Sequence, residues 1–181
     1  VAKENGRNRV HVYRNNDIAV AEQKGQMQWV HTIQDVLEKN RFKLYFQTIA
    51  PIDNIAGEKG KLHGEVLIRM LDEDGSLIGP DSFIPAAERY SLMGSIDQWV
   101  VKNTLEALGR DVDYIQDNIS ACSINLSGQS LSDDRFMSEL VALIDDMDIP
   151  PELLCFEITE TAVISNLSNA TRLIDTLRDM G

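Results

Sequence analysis

The chain is short of cysteine, of positive charge and of long apolar runs, and each shortage closes off a class of function. Its two cysteines among 181 residues lie in apolar, strand-like runs at Cys122 and Cys155. Both read as buried thiols, not as a disulfide or a metal site. Seventeen basic residues stand against 29 acidic ones, a net charge of -12. That balance denies the basic surface a DNA or RNA polymer or an anionic membrane requires. A small anionic ligand stays compatible where a metal and a few local cations meet it. No apolar run approaches a membrane span, and the opening VAKENGRNRV lacks a secretory pattern. The expectation is a soluble, cytoplasmic segment without direct membrane contact, compatible with an anchor elsewhere in a longer parent.

What is present suffices for one good core, with 43% hydrophobic and 25% charged residues. The most informative stretch is Lys61 to Leu71, KLHGEVLIRML. In an extended strand alternate side chains share a face, so Glu65, Leu67 and Arg69 point one way and Gly64, Val66, Ile68 and Met70 the other. Both faces are largely apolar, as in a buried strand of a parallel sheet covered by helices. A Glu and an Arg there are either a buried ion pair or a metal ligand and a phosphate-binding cation at a barrel mouth.

Taken in order, residues 1 to 13 run from a polar piece into the alternation Arg9 to Tyr13, followed by a turn at Asn15-Asn16-Asp17. AKENGRNRVHVY resembles the C-terminal end of a GGDEF (diguanylate cyclase) domain. The signature loop of that family is absent, so no cyclase chemistry is implied. Residues 18 to 40 predict a helix, with Met27, Val30, Ile33 and Leu37 at spacings of three and four. Phe42 to Ile52 predicts a strand carrying Gln47, and a polar loop from Asp53 to Gly60 leads to the Glu65 strand. Asp72 to Gly75 lacks the ligand spacing of a calcium loop and reads as a solvated turn. A short helix follows Gly79-Pro80. A longer one starts near Ser95, with Ile96, Trp99, Val100, Thr104, Ala107 and Leu108 on one face.

The pattern then repeats. Ala121 to Ser127 predicts a strand with Asn125 near its end, and Phe136, Leu140, Leu143, Ile144 and Met147 line a helix stopped by Pro150-Pro151. Leu153 to Thr159 predicts a buried strand carrying Glu157 and followed by Glu160. A final helix is capped at Ser165 and presents Leu167, Ala170, Leu173, Ile174 and Leu177. Strand, helix, strand, helix implies parallel crossovers and an α/β barrel or layered sheet. Four strong strands are too few to close an eight-stranded barrel, and the ending at Gly181 favours a fragment over a complete smaller sheet.

Glu65, Asn125 and Glu157 come from three successive strands, whose C-terminal ends converge in a barrel. Two carboxylates and an amide form a hard oxygen donor set, suited to Mg²⁺ or Mn²⁺ and unsuited to zinc. Such an ion commonly acts on phosphate esters.

Tyr45-Phe46-Gln47, Glu65-Val66-Leu67-Ile68-Arg69, Phe83 to Glu88, Ile124-Asn125-Leu126-Ser127 and Glu157-Ile158-Thr159-Glu160 resemble, in order, the motifs of EAL domains. These are phosphodiesterases that linearise cyclic di-GMP on a variant TIM barrel with Mg²⁺ or Mn²⁺. The resemblance implies a partial (β/α)8 barrel truncated after about four strands, with residues 21–181 as its N-terminal part and 1–20 as a GGDEF-like remnant and linker. It implies that Glu65, Asn125 and Glu157 bind metal, with Glu65 catalytic. Glu160, also catalytic, would support a neighbouring loop, and Gln47, Leu67 and Arg69 would line the nucleotide pocket. Val66 replaces the usual Ala and Thr48 the usual Pro. The implied partners are cyclic di-GMP and an upstream GGDEF domain, and homodimerisation is compatible with both. Later family residues, an Asp pair, a Lys, a Glu and a Gln, would fall beyond Gly181. The 181-residue chain alone is therefore expected to be inactive and poorly stable. A non-catalytic cyclic di-GMP receptor and an unrelated Mg²⁺-dependent barrel enzyme are the alternatives.

Overall fold

Helix starts in this chain are written by single polar residues. Asp111 accepts the Tyr114 N–H, Ser127 that of Ser130, Asp133 those of Arg135 and Phe136, and Thr159 that of Ala162. Each satisfies a donor that the first helical turn would otherwise leave open. The computed structural model describes residues 18–50, 60–147 and 149–181, with side chains of the first helix from Gln28 onward. The strand expected over Arg9 to Tyr13, its turn at Asn15 to Asp17, Met27 and the loop from Asp53 onward lie outside the described residues.

The chain runs α1 (Ile18–Glu38), β1 (Phe42–Ile49), β2 (Leu62–Leu71), β3 (Leu77–Ile78), α2 (Pro80–Arg89), α3 (Met93–Leu108) and α4 (Val112–Asn118). Then come β4 (Ile119–Leu126), α5 (Gly128–Leu131), α6 (Asp134–Asp146), a 3-10 turn (Pro151–Leu153), β5 (Leu154–Ile158), α7 (Glu160–Ser165) and α8 (Leu167–Met180). The strands lie side by side as β1-β2-β4-β5, with β3 beside the end of β2. The pairs β2–β4 and β4–β5 are parallel, as the helical crossovers require. The pair β1–β2 is antiparallel. Alternation identifies both strands but carries no direction, and the polar stretch between them leaves their relative direction open.

One face of the sheet is packed. Phe42, Val66, Met70, Cys122, Ile124 and Leu126 are buried there with Phe83 of α2, Ile96, Val101 and Leu105 of α3, and Leu140 of α6. The Phe42 ring lies 5.7 Å from that of Phe83 and 5.3 Å from that of Trp99. Full burial of such side chains is worth about 1.5–3 kcal/mol each. Trp99 is half-buried, and its indole N–H reaches Asn40 Oδ1 at 2.8 Å. Gly64 leaves room for the Phe46 ring against β2: a Cβ at Gly64 would come within 2.4 Å of that ring.

Several local expectations are corrected. Cys155 is exposed, although Cys122 is buried as expected. On β5, an edge strand, alternate residues turn to a face that no helix among the described residues covers. Ala107 is exposed, and the inner stripe of α3 includes Asp97 and Leu105 instead. Ser165 does not cap the last helix. It ends α7 and donates to the Thr161 and Ala162 carbonyls, while Asn166 occupies the cap position of α8. Leu167 and Ile174 are exposed, leaving Ala170 and Leu173 as the buried contacts of α8. The exposed acidic run Asp72 to Asp74 forms a turn completed by Gly75 at φ 83, a conformation glycine adopts without penalty. α4 was not foreseen; it buries no residue and so lacks a core-facing stripe.

Candidate active site

The strand register builds the open face in rungs. Gln47 of β1 pairs with Glu65 of β2, and Asn125 of β4 with Glu157 of β5. Glu65 itself lies opposite Ser123, one side-chain step below Asn125. That small offset is bridged directly, since Asn125 Nδ2 donates to Glu65 Oε1 at 2.6 Å. Two carboxylate-bearing strands thus flank an amide on one face. Glu65 is half-buried, whereas Asn125 and Glu157 are exposed. Glu160 opens α7, three residues beyond Glu157 and also exposed.

Towards the C-terminal end of β2, Leu67 pairs with Tyr45 and Arg69 with Lys43. Arg69 Nη1 donates to the Ile68 carbonyl at 2.8 Å, and its guanidinium stands 5.8 Å from the Tyr45 ring centre, within cation–π range. Among the described residues Glu65 and Arg69 do not pair with each other. The buried-ion-pair alternative is therefore not the arrangement found. The carboxylate turns to Asn125 and the cation lies higher on the same strand.

Two polar features escaped the sequence reading. His63 Nε2 lies 3.2 Å from Ser123 Oγ, a second β2–β4 link beneath the Glu65–Asn125 bond, with Ser123 fully buried. The period of two that joins Glu65 to Arg69 also places His63 on this face and could have found it. Asp97 of α3 is the other: it is 4% exposed and accepts from the Ser127 N–H and the Ser130 hydroxyl. Burial holds its pKa above the ordinary carboxylate value, opposed by the hydrogen bonds from Ser130 and Ser127. It falls on the same stripe as Ile96 and Val100, where an apolar pattern is read past a single Asp.

The donor chemistry fits a hard divalent cation: carboxylates on Glu65 and Glu157 beside an amide, on a face open to the ion. Among the described residues no group of three or more His, Cys, Asp or Glu side chains is placed to hold a metal. A site here therefore needs the amide of Asn125 as well as the carboxylates. The EAL domain model matches residues 30–181. The chain belongs to the EAL domain family. Cyclic di-GMP phosphodiesterase PdeB of Shewanella oneidensis is 33% identical over 180 residues, 99% of this chain and 20% of that protein. Cyclic di-GMP phosphodiesterase PdeF of Escherichia coli is 33% identical over 160 residues, covering 88% of this chain and 20% of that protein. This EAL chain thus spans about a fifth of the length of these curated relatives. The FimX EAL domain of Pseudomonas aeruginosa, solved bound to c-di-GMP, superposes with a TM-score of 0.71 at 29% identity. The match covers 84% of this chain and 58% of that one. The EAL enzyme Bd1971 gives a TM-score of 0.75 at 22% identity, over 88% of this chain and 43% of that one, a likeness of fold. Among the described residues no helix is long and apolar enough to cross a membrane.

Proposed function

We propose that this chain supplies the N-terminal part of a barrel that hydrolyses cyclic di-GMP to the linear dinucleotide. One observation carries the reading: the Asn125 amide bonded to Glu65 at 2.6 Å and paired in register with Glu157. In this reading Glu65, Asn125 and Glu157 hold Mg²⁺ or Mn²⁺. When bound, the ion supplies charge stabilisation at the phosphodiester and a lower pKa for a coordinated water. The chain's own residues do the rest. Arg69, within reach of solvent and held by Ile68 and Tyr45, meets a phosphate oxygen through charge-assisted hydrogen bonds. Gln47 and Leu67 flank the nucleotide across β1 and β2, and Glu160 supports the loop after β5.

The similarity to relatives named cyclic di-GMP phosphodiesterases supports the substrate. The likeness to an EAL domain solved with c-di-GMP supports binding and also keeps a receptor role as the second reading. Residues 1–20 are proposed to be the C-terminal remnant of a GGDEF-like domain of the same parent, with its linker. The chain's share of other EAL domains, 58% of the FimX chain, supports the further proposal that the 181 residues alone do not turn over substrate.

The deciding experiment measures cyclic di-GMP binding and linear product with Mg²⁺ or Mn²⁺ in the full-length protein and its Glu65→Gln variant. Product is expected from the wild type. The variant should lose more than the ~100-fold that marks removal of a group supporting a metal ligand. Tight binding without product would establish a receptor, and neither binding nor product would overturn both readings.

A further inference from the structure

The inward stripe of α3 is apolar except at Asp97 and Thr104, which are 4% and 3% exposed. A carboxylate in such a place is costly unless its hydrogen bonds offset the loss of water. Both groups that reach it come from the segment just after Asn125. The Ser127 N–H donates to Asp97 Oδ2 at 2.8 Å and the Ser130 hydroxyl to the same oxygen at 2.6 Å. Neither donor is a cation, so the carboxyl is held in the stripe by hydrogen bonds and not by an ion pair.

Ser127 is the residue at which β4 becomes α5, and its own Oγ accepts the Ser130 N–H at 3.3 Å. A single carboxylate oxygen thus clasps both sides of that turn from below. Asn125 precedes the turn by two residues and points to the opposite face, where its amide meets Glu65. A leucine at position 97 would pack with the neighbouring stripe but would leave the Ser127 N–H and the buried Ser130 hydroxyl without their acceptor.

We propose that Asp97 is a positioning residue for Asn125: by clasping the β4–α5 turn it sets the direction in which the amide faces Glu65. Its consequence for metal binding rests on the function proposed above. The positioning itself is read on Asn125 alone.

The test is selective ¹⁵N-asparagine NMR on the full-length protein, with the Asn125 side-chain amide signal assigned by its loss in Asn125→Asp and its shift in Glu65→Gln. Asp97→Leu should move that signal to the position of a solvent-bonded amide. Asp97→Asn, which keeps an oxygen acceptor, should leave it in place. A folded Asp97→Leu protein with an unmoved signal overturns the proposal, as does an equal displacement in both variants. Should Asp97→Leu fail to fold, Ser130→Ala serves in its place. A partial shift supports the proposal and an unmoved signal overturns it. Mn²⁺ affinity, followed by the electron paramagnetic resonance of the ion, should fall about tenfold in Asp97→Leu and by much less in Asp97→Asn. If Mn²⁺ binds but cyclic di-GMP is not hydrolysed, the enzymatic reading fails while the Asn125 result stands.

Discussion

The two faces of the sheet are built from the same strands and obey opposite rules. On the helix-covered face Val66, Ile124 and Leu126 are buried beneath α2, α3 and α6. On the other, Gln47, Asn125, Cys155 and Glu157 are exposed, and polar side chains bond to one another across strands. Because side chains alternate strictly, a single strand such as β2 serves both, with Val66 in the packed core and its neighbour Glu65 on the polar face. Substitutions one residue apart should therefore have unrelated consequences.

The two cysteines give the sharpest way to test the contrast. Burial, with a smaller contribution from Cys155, pushes the Cys122 thiol up to about 11. At pH 8 a maleimide should label exposed Cys155 readily and Cys122 only after unfolding, a difference of at least about a hundredfold in rate set by thiolate fraction and access. Mass spectrometry of the labelled protein checks it. Comparable labelling of both in the folded state would break the distinction between the faces.

Next in size is a pure packing change. Leu105→Ala removes a fully buried side chain and should cost about 3 kcal/mol in denaturant unfolding. Glu65→Gln, by contrast, should leave stability within about 0.5 kcal/mol while abolishing the turnover proposed for the full-length protein. Gly64→Ala probes where the two neighbouring strands touch. Its new methyl group meets the Phe46 ring and, at 2.7 Å, the Gln47 carbonyl. The expected loss is about 1–3 kcal/mol, only partly relieved by adding Phe46→Ala, because the carbonyl cannot move aside. Full relief in the double variant would show that the ring alone sets the constraint.

The smallest effect concerns pH. The folded state raises the Asp97 pKa, so it binds the proton more tightly than the unfolded chain does. Stability from this group is present at low pH and is lost as pH rises from the ordinary carboxylate pKa through the raised one. Asp97→Asn abolishes that dependence, so its melting temperature relative to wild type should climb across this acidic interval and level off above it. A constant difference between the two proteins from pH 3 to 7 would contradict the assignment.

Most of this architecture is legible in the sequence because hydrophobic period and strand chemistry agree. The alternation around Glu65 predicts both faces of β2, and the Asn125 and Glu157 strands fall where their apolar runs place them. What escaped follows from information a linear pattern lacks. Periodicity is blind to strand direction, hence the reversed β1. It also treats a strand as buried without knowing whether a helix covers each side, hence Cys155. Asp97 reads as an interruption of an apolar stripe until Ser127 and Ser130, remote in sequence, are brought to it. The pairing of Asn125 with Glu65 depends on a register between β2 and β4 that includes a shift beside His63, a detail without a local signature.

The reversed first strand also determines how α1 is fastened to the sheet. Arg41, in the corner between α1 and β1, donates through Nη1 to the Leu71 carbonyl at 3.1 Å, receives the Leu71 N–H at its own carbonyl at 2.9 Å, and pairs with Asp35 of α1. That corner meets β2 at its upper end, next to Arg69, instead of at its base. The Arg41 corner thus ties α1 to the same end of β2 that carries Arg69, the cation proposed to hold a phosphate, and leaves the Glu65 end of the strand without that tether.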